Sequence, residues 1–119
     1  MRIKQRKTRN LNDGYIGVYE AKEKRTDFSA AVSPKSRDDL AYITDLAYKE
    51  EYKREQDYTM AEADGHALSL KIKTLLYDEL TKDHKIICGR EMYNILKIDY
   101  ARSEGVMYLY LEEERTVAE

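Results

Sequence analysis

Apolar and polar residues alternate with a period of two in several parts of the chain, which is typical of β-strands with one buried face. The clearest alternation runs through residues 67–74, where apolar side chains at every second position are separated by serine and lysine. Residues 92–100 and 106–112 repeat the pattern and are joined by a short polar link containing Gly105. Such an arrangement favours a hairpin. We therefore expect these three segments to lie in one antiparallel sheet.

Shorter segments add further strands to this prediction. A turn signal at residues 12–14 precedes a run rich in tyrosine and β-branched residues, and a charged tip at 22–25 precedes another alternating segment. Because a small sheet must cover its edges, closure into a barrel is one solution. We predict a mostly β fold, a small antiparallel β-barrel of about six or seven strands. The candidate strands are residues 3–9, 15–19, 27–33, 67–74, 85–88, 92–100 and 106–112.

A different spacing appears in the middle of the chain. Ser36 and Asp39 have the spacing of a capping box, and four apolar residues follow at helical intervals. This pattern predicts an α-helix over residues 37–54, inserted between two strands, whereas residues 56–66 have no clear period. The helix and the following segment form a helical or loop insertion of about residues 34–66. The apolar residues of the stripe are Leu40, Ile43, Leu46 and Ala47.

Composition indicates one domain, residues 1–119, with a surface suited to contacts. Charged residues make up 37% of the chain, and it has 11 tyrosines, one phenylalanine and no tryptophan. Tyrosine suits positions that are packed at one end and wet at the other, including subunit interfaces. The lone Cys88 excludes an internal disulfide and indicates a reducing compartment. The sequence offers neither a membrane-length apolar run nor a secretory signal, so we expect no membrane partner.

Charge is unevenly distributed, although the net charge is only -2. The N-terminus is basic and the C-terminus acidic, which suggests either complementary interacting ends or two solvated, frayed termini. Residues 34–66 carry five basic and nine acidic side chains. Long insertions are commonly functional, although a helix that closes one end of the barrel would explain this one equally well. The candidate interaction residues are Arg2, Lys4, Arg6, Arg9, Asp38, Asp39, Glu50, Glu51, Asp57, Glu62 and Asp64.

Candidate chemistry is sparse. His84 and Cys88 stand four apart and supply two ligands at most, whereas a metal site needs three or four. The chain has no Gly-rich phosphate loop, and its adjacent carboxylates would point in different directions on a helix. We therefore predict no catalytic, cofactor or metal site, and a protein that is not an enzyme.

Several segments taken in order resemble a known family. A basic N-terminal strand comes first, and residues 28–34, FSAAVSP, resemble a strand that ends in a Val-x-Pro-like corner. The predicted helical insertion follows, and residues 68–74 resemble an apolar strand with basic residues near its end. Residues 84–98 contain a short strand, a turn and then Tyr-x-Ile-x-x-Ile, and residues 107–113 resemble an acidic closing strand. This series is similar to the phage head–tail joining family, also called head-closure, stopper or head–tail adaptor proteins. The family often has a tryptophan before its Ala-x-Val strand, and here Phe28 stands in that region.

This resemblance implies a small β-barrel with a helical excursion and a structural role. It implies a homo-oligomeric ring, commonly of twelve copies, that stacks on portal or adaptor rings and joins the DNA-filled head to the tail proteins. In some members a loop closes the channel through which genomic DNA passes. The implied location is the virion, with assembly in the bacterial host cytoplasm. The alternative is a small nucleic-acid-binding β-barrel that uses the basic N-terminal arm, with only Tyr15 and Tyr19 as stacking residues.

The acidity of the insertion leads to one more expectation. We expect residues 36–65 to face the axial channel or the next ring, because a lumen of like charge resists sticking to DNA. The basic arm of one subunit is expected to meet an acidic face of its neighbour or of the adjacent ring, in a heterologous contact.

Overall fold

The computed structural model describes residues 11–21 and 40–116, and these residues form a mostly β fold with one α-helix. The candidate strands at 3–9 and 27–33, the charged tip at 22–25 and the capping box at Ser36 lie outside the described residues. The elements are β1 (Gly14–Ala21), β2 (Leu40–Glu50), α1 (Glu55–Ala63), β3 (Leu70–Leu75), β4 (Lys85–Cys88), β5 (Glu91–Ala101), a 3-10 turn (Arg102–Glu104) and β6 (Val106–Thr116).

The six strands form one antiparallel sheet that closes on itself. Their order around the closed sheet is β1-β2-β3-β6-β5-β4, and β4 pairs with β1 to complete the circuit. The predicted pairing of three segments is confirmed, because β6 pairs with β3 on one side and with β5 on the other. Gly105 ends the link between β5 and β6 with a φ of 72°, a left-handed conformation that glycine adopts without steric cost.

The inside of the closed sheet is filled by apolar side chains. On β6, Met107, Leu109 and Leu111 point inward and are fully buried, whereas Tyr108 and Tyr110 point outward. This alternation is what the period-two pattern of the sequence predicts. Burying each large apolar side chain stabilises the fold by roughly 1.5–3 kcal/mol. The other fully or largely buried members of this interior cluster are Ile16, Val18, Leu46, Ile72, Leu80, Ile86 and Ile95.

A bulge in β5 explains the Tyr-x-Ile-x-x-Ile pattern. The register between β5 and β6 shifts between Ile95 and Lys97, so that Leu96 is an extra residue on its strand. Ile95 and Ile98 therefore both pack against the interior although they are three residues apart. Leu96 instead joins a second cluster on the outer face, around Tyr110.

The predicted helix over residues 37–54 is wrong, because its central residues form the strand β2. The register with β1 shifts between Val18 and Tyr19, where Ile43 is the extra residue of β2. Ile43 and Leu46 both pack against the interior cluster, and the bulge thus produces the three-residue spacing that suggested a helix. The β-branched and aromatic side chains of this segment agree with a strand.

The only α-helix in the described part of the chain, α1, begins after the predicted one. It covers residues 55–63, within the stretch that has no clear apolar period. Its buried side chains are Asp57 and Ala61, four residues apart on one face. The described part of the predicted insertion, residues 40–66, is therefore not an insertion, since it contains an integral strand of the sheet followed by a short helix on its outer surface.

Candidate interaction surfaces

A buried ion pair fixes α1 to the outer face of the sheet. The carboxylate of Asp57 lies 2.9 Å from the ammonium of Lys71 on β3, and the two side chains are only 5% and 9% exposed. Asp57 also accepts hydrogen bonds from the backbone N–H of Arg54 at 2.9 Å and from the Arg54 guanidinium. Burial alone would raise the pKa of Asp57, but these hydrogen bonds from Arg54 and Lys71 lower it to about 2. The carboxylate is thus ionised under ordinary conditions.

Tyr110 is the aromatic centre of this region. The ammonium groups of Lys71 and Lys97 lie 5.1 Å and 5.4 Å from the centre of its ring, on the two neighbouring strands. These distances suit cation–π attraction, which is stronger where the groups are desolvated. Ala61 of α1 and Leu68 pack with the same ring, so Tyr110 is largely buried despite pointing outward.

An open groove of about 360 Å³ runs beside this cluster, and we call it the β6 groove. Two tyrosines of β6 form its floor, and Tyr52, which is 83% exposed, lies at its rim. Its polar groups have both signs, with the half-exposed guanidinium of Arg54 on one side and the exposed carboxylate of Asp99 on another. The lining residues are Glu51, Tyr52, Arg54, Lys71, Asp99, Tyr108 and Tyr110.

A second aromatic surface, the β1–β2 patch, consists of Tyr15, Gly17, Tyr19, Tyr42 and Asp45. Tyr15 and Tyr42 are 71% and 57% exposed. The rings of Tyr19 and Tyr42 meet edge to face, with centres 5.5 Å apart. A Cβ on Gly17 would lie 2.7 Å from a ring atom of Tyr19, so the missing side chain gives that ring its place. Desolvation and a hydrogen bond to Asp45 raise the pKa of Tyr42.

The two surfaces lie on opposite sides of the molecule. In the closed order of six strands, β1 is three positions from β6 and β2 is three positions from β5. Tyr15 on β1 and Tyr110 on β6 both point outward, since their neighbours Ile16 and Leu109 fill the interior. The β1–β2 patch and the β6 groove therefore face away from each other.

The acidic candidates that lie within the described residues do not form one face. Arg2, Lys4, Arg6, Arg9, Asp38 and Asp39 lie outside the described residues. Glu50 is exposed at the end of β2, and Glu51 lines the β6 groove with its carboxylate 3.7 Å from Lys49. Asp57 is held by Lys71 and is not available at the surface. Glu62 and Asp64 are exposed at the far end of α1.

The two histidines have ordinary local roles. His84 accepts a hydrogen bond from the Thr81 backbone N–H at 3.0 Å, and His66 lies 2.9 Å from a carboxylate oxygen of Glu112, which ties the end of α1 to β6. The Cys88 sulfur and the Tyr48 hydroxyl oxygen are hydrogen-bonded, 3.4 Å apart. Within residues 11–21 and 40–116, no three side chains of metal-binding type converge.

Tyr48 and Cys88 sit together at the edge of the interior cluster. The hydrogen bond with Cys88, together with burial, raises the pKa of Tyr48 to about 12. The phenol is therefore neutral over the whole physiological range.

Sequence reasoning missed the residues that build the two surfaces. Lys71 alternates with apolar residues in β3, and this pattern predicts a solvent-exposed side chain. Its partner Asp57 belongs to a helix without an apolar stripe, so the sequence does not indicate that the helix covers Lys71. The outward tyrosines carried a usable signal, since they occupy the alternate positions of strands whose other face is apolar. Their assignment to opposite sides needed the strand order.

Comparison with known proteins adds no identification. No family model matches the chain, and no curated protein matches it. No helix in the described residues is long and apolar enough to cross a membrane.

Proposed function

We propose that this protein is a structural subunit of a phage or prophage head–tail connector. Copies of the chain would form a ring that joins the DNA-filled head to the tail, and the closed sheet would be the small β-barrel of each copy. In such a role the protein acts through its outer surfaces and catalyses no reaction.

The observation that carries this proposal is the display of tyrosines on two opposite sides of a closed sheet. A ring subunit needs two contact surfaces that face nearly opposite ways, because each copy touches one neighbour on either side. Tyr15 and Tyr42 supply aromatic contact area on one side, and Tyr52 and Tyr108 on the other. Tyrosine is enriched in protein interfaces because it offers large, rigid contact area with a polar end.

The segments that resemble the head–tail joining family also agree with the proposal. Residues 84–98 and 107–113, which carry most of the resemblance, form the neighbouring strands β4, β5 and β6. The Tyr-x-Ile-x-x-Ile pattern corresponds to the bulge of β5, where one extra residue changes which side chains face the interior. The expected placement of residues 36–65 at the axial channel or the next ring is not part of this proposal, because β2 belongs to the sheet and Asp57 is buried under α1.

The proposal predicts that the protein is found at the junction between head and tail. We would tag the protein at its C-terminus in a producing phage or prophage, label the tag with gold and image purified particles by electron microscopy. The expected result is label confined to the head–tail junction, with an untagged strain as the control. Deletion of the gene should give filled heads and separate tails, and a plasmid copy should restore joined particles. Normal joined particles without the protein would refute the proposal.

A nucleic-acid-binding β-barrel is the second candidate, and the β1–β2 patch favours it. Tyr42 extends the pair of tyrosines on β1 to three aromatic rings, and a basic segment precedes this strand in the sequence. Aromatic rings beside basic residues are typical of single-strand binding. Titration of fluorescent single- and double-stranded DNA at rising salt separates the candidates, because a phosphate binder loses affinity steeply with salt. A connector subunit is expected to bind DNA weakly at every salt concentration.

A further inference from the structure

We propose that the β1–β2 patch of one copy docks into the β6 groove of a second copy. The contact is heterologous, since it joins two different surfaces of the same chain. This inference deepens the proposed function, on which it rests, by naming the two surfaces through which neighbouring subunits meet.

The positions of the surfaces favour this arrangement over a two-fold dimer. Contacts between two different surfaces generate a ring or an open filament, whereas a surface that meets itself gives a closed dimer. Because the patch lies on β1 and β2 and the groove lies on β6, β5 and β3, a copy that uses both contacts two neighbours at once.

The shapes of the surfaces are complementary. Tyr15 and Tyr42 project from the patch, and the groove offers a concave floor formed by Tyr108 and Tyr110. Aromatic side chains that fill a pocket of the partner are the usual anchors of protein interfaces. The Tyr19 ring, which lies over Gly17 and against Tyr42, gives the projecting side of the patch a rigid base.

Oppositely charged groups are available on the two surfaces. The patch carries the exposed carboxylate of Asp45, and the groove has the half-exposed guanidinium of Arg54 with the exposed Lys97 beside the Tyr110 ring. The groove also contains the carboxylates of Glu51 and Asp99, which can accept hydrogen bonds from the tyrosine hydroxyls of the incoming patch. Asp45 of the patch thus has Arg54 and Lys97 as oppositely charged partners.

Photocrosslinking tests the contact directly. Tyr15 and Tyr42 would be replaced one at a time by the photoreactive amino acid p-benzoylphenylalanine in the full chain. Irradiation is done at high protein concentration and in purified particles, with a mixture of isotopically light and heavy chains to identify links between copies. We expect crosslinked peptides that join either probe to residues 51–54 or 97–110 of a second copy. A probe in place of the exposed Thr59 on α1 serves as the control and should give no such link.

A charge exchange tests the polarity of the contact. The single substitutions Asp45→Lys and Lys97→Glu should each lower the crosslinking yield of the Tyr15 probe by about two- to fivefold, the range expected for an exposed ion pair. Combining them should restore the yield. The matched controls Asp83→Lys and Lys82→Glu change exposed residues outside both surfaces and should leave the yield unchanged.

The outcomes separate this inference from the proposed function. Links from the patch to the patch of another copy, or no link between copies under either condition, would overturn the inference. If the protein still lies at the head–tail junction, the connector role would stand and its ring would use other surfaces. If the patch-to-groove link forms but the protein is absent from particles, the self-contact would stand and the connector role would fail.

Discussion

The buried pair of Asp57 and Lys71 provides a sensitive test of what holds α1 on the sheet. The substitution Asp57→Asn removes the negative charge and leaves the buried Lys71 ammonium with only neutral acceptors, the new amide oxygen and the Tyr110 ring, in place of the carboxylate. Removing one partner of a buried pair typically costs about 3–5 kcal/mol. Arg54, whose side chain is half exposed, can recover hydration, so we expect a loss near the lower end, about 3 kcal/mol.

The reverse substitution and the double variant measure the coupling. Lys71→Met keeps an unbranched chain against Tyr110 and leaves Asp57 hydrogen-bonded to Arg54, so it should cost less, about 1–2 kcal/mol. The variant carrying both changes should be no less stable than Asp57→Asn alone. The free energies of unfolding come from urea titrations at neutral pH. Glu62→Gln on the exposed side of the same helix is the control and should stay within about 0.5 kcal/mol.

The same pair should have a visible pH dependence. The pKa of Asp57 is about 2 in the folded protein and about 3.9 in an unfolded chain, a difference worth about 2.5 kcal/mol. Because the folded pKa is depressed, this stabilisation is present above about pH 4 and is lost as the pH falls towards 2. The stability difference between the native chain and Asp57→Asn should shrink over that window. A small cost, additive single variants and a difference independent of pH would together refute the reasoning.

Two further predictions concern the interior and its edge. Leu109→Ala removes a fully buried side chain from the middle of β6 and should lower the free energy of unfolding by about 2–5 kcal/mol in urea titrations. Leu96→Ala, at a half-buried position, should lower it by less. Equal losses would contradict the assignment of the core. Tyr48 should ionise at about pH 12, and because its pKa is raised, its contribution to stability is present below about pH 10 and lost as the pH rises towards 12. In a titration of phenolate absorbance, Tyr48→Phe should remove one phenol from the part of the curve near pH 12, and loss of a phenol that ionises near pH 10 would contradict the raised pKa.

Period-two alternation was enough to predict the pairing of β3 and β5 with β6, but not the bulged strand β2. The pairing of β3 and β5 with β6 follows from uninterrupted or nearly uninterrupted alternation, which specifies the buried face of each strand. In β2, one extra residue at Ile43 shifts the alternation, so the apolar spacing imitates a helix. The true helix was hidden for the opposite reason, because the face that it buries consists of a carboxylate and an alanine. An ion pair between residues far apart in the sequence produces no periodic pattern from which the helix could be predicted.

The candidate surfaces were predictable only in part. The abundance of tyrosine indicated a surface built for contacts, and the strand pattern indicates which tyrosines point outward. The acidic candidate residues did not indicate an interaction surface, because position in the sequence does not tell which carboxylate has a buried partner, as Asp57 has. The opposition of patch and groove depends on the closed order of the strands, which local patterns do not contain.

The bulge of β5 has a consequence for how the length of this chain can vary. One extra residue lets the strand supply Ile95 and Ile98 to the interior and Leu96 to the layer beneath α1. A deletion or insertion of a single residue here would turn one of these sets of side chains to the wrong face and would disturb both layers together. Related sequences are therefore expected to keep the length of β5 fixed and to accept insertions and deletions in the links between strands.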